Sequence, residues 1–179
     1  MPDLGFGQPR GGIIQTAFVV PDVGEAIAMW IRDLKAGPFF LIENWGGDHP
    51  VYRGQPSQAK MSIALGFAGH MQIELMQPMD QHPSVYKETI DRRGYGLHHF
   101  GLASDDIDAD IQRLEQQGYV LAFRAGVPTG GDVAYMDGGP DKAGMIEFIE
   151  ATQGMDEAFT AMWRASVGWD GSDPIRGFG

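Results

Sequence analysis

The stretch GLHHFGLASDDID, residues 96–108, decides how the rest of the chain is read. Two histidines head a short apolar run that closes on acids. Side chains alternate between the faces of a β-strand, so His98 and His99 are expected to face opposite ways. The acids that follow suit the first turn of a helix, and Ile107, Ile111 and Leu114 then recur on one helical face. The segment reads as strand, cap and amphipathic helix.

The same plan occurs earlier. Sliding QTAFVVPDVGEAIAMW (15–30) by 84 positions onto HFGLASDDIDADIQRL (99–114) sets Gln15 on His99, Asp22 on Asp106, Val23 on Ile107, Ile27 on Ile111 and Trp30 on Leu114. Asp22 with Glu25 has the spacing of a helix-start capping pair. Each helix is followed by three strand-like pieces. These are GPFFLIENW, AKMSIALGF and HMQIELMQP in the first half, and GYVLAFRAG, GDVAYMD and GMIEFIEA in the second. The chain is therefore expected to be an α+β protein of two βαβββ modules, 12–78 and 96–152. A helical linker spans 79–95, and a C-terminal helix and extended tail span 153–179. The excess length of the first module falls in GGDHPVYRGQPSQ, read as a loop. MPDLGFGQPRGG reads as a loose lead-in without the apolar core of a signal peptide. Phe159, Met162, Trp163 and Ser166 share a helical face that packs on the sheet or on a partner subunit.

Alternation selects a second set of residues. With Phe18, Val20, Phe100 and Leu102 under the helices, Gln15, Ala17, His99, Gly101 and Ala103 share the other face. In the closing strands Glu74 and Glu147 oppose Ile73, Leu75, Ile146 and Phe148. One face thus gathers Gln15, Glu74, His99 and Glu147 beside small residues that leave space. Two carboxylates on an apolar face require pairing or coordination, and a divalent cation satisfies both. One imidazole with three oxygen donors suits Co, Ni, Zn, Mn, Mg or Fe. The competing readings are two glutamates on a solvated sheet face and a core histidine satisfied by its neighbours.

Bulk properties bound the function. The formal net charge of -11 opposes nucleic-acid binding, which depends on neutralising phosphates. With no cysteine, disulfides and thiolate metal sites are excluded, in keeping with a reducing cytoplasm. No apolar run reaches the roughly 18 residues of a membrane span. Only 13 residues are Lys or Arg, which weighs against a polyanionic ligand such as coenzyme A unless Arg53, Arg92, Arg93 and Arg124 form a local anion site.

With these residues in view, the chain resembles the vicinal oxygen chelate superfamily, which includes glyoxalase I, methylmalonyl-CoA epimerase, extradiol dioxygenases and bleomycin-resistance proteins. The likeness covers about residues 12–152. GLHHFGLASDDID, and the order of IELMQP, helical linker and GLHH, are most similar to the methylmalonyl-CoA epimerase-like branch. The resemblance implies a cupped mixed sheet around a metal, with one ligand from the first and one from the last strand of each module. Those positions are Gln15, Glu74, His99 and Glu147, although Gln15 stands where the epimerases usually carry histidine. A single histidine among them falls short of the two-histidine, one-carboxylate triad of iron oxygenases.

The implied chemistry is proton abstraction beside a carbonyl, with the metal as Lewis acid and a carboxylate as base. Glu147 is the first candidate, as ligand and base. Glu43 is the candidate second acid/base for epimerisation. Phe39, Phe40, Trp45, Met61 and Met76 are candidate pocket lining around a small oxo compound. The expected activity is that of a metal-dependent isomerase or epimerase. A glyoxalase-type lyase and a metal-free ligand-sequestering protein are the alternatives. The resemblance also implies a homodimer, with the Trp163 helix as a possible contact.

Overall fold

The computed structural model describes residues 3–178. The first module runs through β1 (Ile13–Val19), α1 (Val23–Leu34), β2 (Phe39–Trp45), β3 (Asp48–Tyr52), β4 (Gln55–Pro56), β5 (Met61–Ala68) and β6 (Met71–Pro78). After α2 (Val85–Arg93), the second comprises β7 (Gly96–Ser104), α3 (Ile107–Glu115), β8 (Val120–Gly126), β9 (Asp132–Asp137) and β10 (Met145–Glu150). The helix α4 (Gln153–Ser166) and the short β11 (Ile175–Gly177) follow. The α+β class and the twofold βαβββ plan are as expected from the repeat.

The helices start where the capping residues stand. Asp22 and Asp106 have extended backbones, and each accepts a hydrogen bond from the backbone N–H three residues on, at Glu25 and Ala109. Ile27 of α1, and Ile107, Ile111 and Leu114 of α3, are buried against the sheet. Phe18, Val20, Ile73 and Leu75 lie under α1; Leu102, Ile146 and Phe148 lie under α3. The alternation that assigned faces to these strands therefore holds.

All strands join one mixed sheet, in the order β11-β2-β5-β6-β1-β7-β10-β9-β8-β3-β4. At its centre the two first strands run antiparallel, with Gln15 opposite Gly101 and Ala17 opposite His99. The closing strands flank them in parallel, setting Glu74 beside Ala17 and Glu147 beside Gly101. Helices α1 and α3 cover the outer face. The inner face packs against the N-terminal segment, α2 and α4.

Three segments depart from the sequence reading. The expected loop 46–58 contains the hairpin β3–β4, and β3 pairs antiparallel with β8 of the other module. It covers an edge strand that would otherwise expose unpaired backbone groups. The N-terminal lead-in is part of the core: Leu4 and Phe6 are buried, Phe6 meets Phe67 edge-on, and the Gly5 N–H donates to Asp156 at the start of α4. The tail pairs β11 with the far edge strand β2. The C-terminal helix buries Met155, Phe159, Thr160 and Met162 rather than the whole expected face, and it seats on this chain's own sheet.

Candidate metal centre

The central register brings Gln15, Glu74, His99 and Glu147 together at the bottom of the cup. All four are buried, and His99 has no solvent exposure. His99 Nε2 lies 3.0 Å from Gln15 Oε1, 3.0 Å from Glu147 Oε2 and 3.3 Å from Glu74 Oε2. Gly101 makes room, since a Cβ there would stand 2.8 Å from Gln15 Oε1 and 2.9 Å from its Cβ.

The electrostatics of this arrangement are unbalanced. One imidazole nitrogen carries at most one hydrogen, yet three oxygens surround it. Glu74 Oε2 and Glu147 Oε2 have no hydrogen-bond partner. Burial alone would push His99 down, but the Glu147 and Glu74 carboxylates outweigh it and hold the ring up at about 9. Burial pushes the Glu74 carboxyl upward against the opposing pull of His99. A buried, doubly acidic cluster with orphaned oxygens is an arrangement that could hold a cation.

The donor set fits a divalent ion. Glu74, His99 and Glu147 each offer one ligand atom, all within 4.8 Å of one another. Adjacent ligands about 2.1 Å from one octahedral ion stand roughly 3 Å apart, which is the spacing found around His99 Nε2. Gln15 would add its carbonyl oxygen, since its Nε2 donates to Gln72 Oε1 at 2.8 Å and so turns Oε1 toward His99.

Gln72 and His98 are site residues that sequence reasoning missed or misplaced. Gln72 shares the face of Glu74 and is fully buried, so alternation alone could have flagged it. His98 requires a correction. It was expected on the opposite face, but Ala17 pairs with His99 and Phe18 with Leu97, leaving His98 as the extra residue of a β-bulge. The bulge cancels the alternation, and His98 Nδ1 lies 2.8 Å from His99 Nδ1.

Above the cluster is a cavity of about 60 Å³, walled mainly by Trp45, Ile63, Leu65, Tyr135, Phe159 and Phe178. Of the expected lining only Trp45 belongs to it. Phe39 packs under α1 against Ile27 and Ala36. Met61 and Met76 lie in the core, and the guanidinium of Arg176 lies over Phe40. Tyr135, Phe159 and Phe178 come from the second module, α4 and the tail, none of which the first-module candidates could reveal.

Glu43 is not brought to the cluster. It lies beside left-handed Asn44 (φ 54°) where the β2–β5 register breaks, and its side chain is exposed outside the cavity. The arginine quartet does not form an anion site. Arg53 pairs with Glu88 and Asp137, and Arg92 approaches the same two acids. Arg124 pairs with Asp108 and Asp132. Arg93 donates to the backbone carbonyls of Pro140, Lys142 and Ala143.

Comparison with known proteins agrees with this architecture. Residues 14–135 match the family model described as Glyoxalase/Bleomycin resistance protein/Dioxygenase superfamily. Among solved structures, methylmalonyl-CoA epimerase from Mycobacterium tuberculosis is 23% identical over 82% of this chain and 92% of its own, with a TM-score of 0.58. A hypothetical protein from Bacillus halodurans C-125 is 20% identical over 79% of this chain and 95% of its own, at 0.57. A Streptomyces coelicolor methylmalonyl-CoA epimerase in complex with 2-nitronate-propionyl-CoA is 13% identical over 80% and 96%, at 0.58. At these identities the structural likeness speaks for the fold. No curated protein matches by sequence. The family match over most of the chain, together with the paired modules and the acid-histidine centre in their cup, establishes that the chain belongs to the glyoxalase/bleomycin resistance protein/dioxygenase superfamily.

Proposed function

We propose that the chain is a metal-dependent isomerase or epimerase acting on a compact, largely apolar oxo compound through an enolate. The observation that carries this reading is the cluster itself: two carboxylates with unpartnered buried oxygens converge on one imidazole nitrogen. Gln15, Glu74, His99 and Glu147 would hold one divalent ion, which supplies Lewis-acid polarisation of a carbonyl oxygen when bound. The protein's own contribution is a mainly apolar wall beside the cluster, whose lower dielectric strengthens each electrostatic contact. Glu147, at the floor of the cavity, is the proton-abstracting carboxylate. Glu74, on the other side of His99 and raised by burial, is better placed than Glu43 to return a proton.

Two features support a small substrate over a coenzyme A thioester. The cavity is small and largely apolar, and the arginines that could have met phosphates are engaged by acids or backbone carbonyls. The neighbouring epimerases thus inform the reaction type more than the substrate. The proposal includes a homodimer in a reducing cytoplasm, and sedimentation separates it from a 19.5 kDa monomer.

The test is proton exchange. Protein purified without chelator is incubated in D2O with small 2-oxo acids and aryl ketones, and incorporation at the carbon beside the carbonyl is followed by NMR. Deuterium wash-in without added thiol, lost by at least about a hundredfold in Glu147→Gln, is expected for a positioned acid/base. Exchange that survives in Glu147→Gln would overturn the assignment of the base. Turnover only with a thiol would replace the isomerase by a lyase.

A further inference from the structure

His98 takes no part in the chemistry above, yet it touches the residue at its centre. We propose that His98 is a positioning residue that fixes which nitrogen of His99 faces the cation site; this rests on the metal-centre reading. Nitrogens 2.8 Å apart share a single hydrogen, so one Nδ1 donates and the other accepts. The backbone contact of His98 points to one direction. His98 Nε2 lies 3.3 Å from the carbonyl of Val85, and a carbonyl only accepts, so the hydrogen of the His98 ring sits on Nε2. The same carbonyl takes the Thr89 hydroxyl at 3.0 Å on its second lone pair. His98 Nδ1 therefore bears a lone pair and accepts the Nδ1–H of His99. The remaining nitrogen of His99, Nε2, is the one surrounded by Gln15, Glu74 and Glu147.

The ring of His98 cannot readily turn away. It stacks on Tyr86, with centroids 5.1 Å apart and planes 25° from parallel, and meets Tyr135 edge-on at 5.5 Å. The β-bulge is what delivers it there. Outer partners of a ligating imidazole commonly set its tautomer in this way. Here the partner is the ligand's own chain neighbour, which a regular strand would have sent to the opposite face.

Two measurements test the role. In metal-free, 15N-labelled protein, two-bond 1H–15N correlation of the imidazoles should show His98 with hydrogen on Nε2 and none on Nδ1. A His98 protonated at Nδ1 overturns the proposal. Zinc titration follows on folded wild type, His98→Phe and His98→Asn. Phe keeps the stacking and removes the acceptor, whereas Asn keeps an acceptor oxygen near the place of Nδ1. Phe should weaken zinc binding roughly 10- to 100-fold and Asn by no more than about threefold, the scale of outer-partner effects. Wild-type protein that binds no zinc overturns the metal centre and this role with it. Zinc binding shared equally by all three proteins overturns the role of His98 alone.

Discussion

Gly101 shows how much of the site depends on one missing methyl group. It pairs across the sheet with Gln15 and beside Glu147, and a Cβ there would press on the Gln15 amide and on Ile149 at 3.1 Å. Gly101→Ala should leave the fold intact and weaken divalent-metal binding by about tenfold, the cost expected when a ligand is tilted rather than removed. Calorimetric titration checks this, and unchanged affinity would remove Gln15 from the ligand set. At this scale the convergence of the four candidate ligands was legible. Gln15, Glu74, His99 and Glu147 follow from strand alternation plus a repeat, because period two holds along those segments. His98 was not legible, since a one-residue bulge reverses the inference from alternation at that residue and leaves no mark in the residue types. Glu43 illustrates a related failure. It was chosen for being an acid in the first half, and local backbone irregularity decides where it points.

Individual elements carry a second kind of information. The helices α1 and α3 were readable from Asp caps and i, i+4, i+7 apolar spacing, both local signals. The hairpin β3–β4 was not, because what makes it a strand is the free edge of β8, some seventy residues on. That hairpin is also clasped to α2. Arg53 pairs with Glu88 at 2.6 Å and with Asp137 at 2.7 Å, and the Tyr52 hydroxyl donates to the same glutamate. Arg53 holds the Glu88 carboxyl below its ordinary 4.5. A carboxyl depressed in the folded state adds stability above its unfolded pKa and loses it as pH falls through the folded value. Arg53→Met should therefore be less stable than wild type by on the order of 1 kcal/mol near neutral pH, allowing for solvent screening. The gap should close as the pH falls from the ordinary carboxylate range down through the lowered value of Glu88. Urea unfolding across this range measures it, and a gap that stays constant or widens in acid would deny the clasp its electrostatic origin.

For the whole molecule, the pseudo-twofold repeat makes the centre possible. Two modules place their first strands antiparallel and their last strands outside them, so four side chains distant in sequence converge by register alone. What the repeat could not reveal is the cover. The buried N-terminal Leu4 and Phe6, the helix α4 and the tail with Phe178 lie outside the two matched units; Phe159 of α4 and Phe178 help to wall the cavity, while Leu4 and Phe6 pack into the core. Their role depends on long-range packing rather than on any pattern within them. The acidic net charge is distributed accordingly: several acids neutralise the arginines of the surface, while Glu74 and Glu147 remain inside facing His99. X-ray absorption of the protein loaded with one equivalent of zinc tests this arrangement most directly. The spectrum should show a shell of one imidazole nitrogen and oxygens only, at about 2.0–2.2 Å. A shell without imidazole, or a protein that retains no zinc, would contradict it.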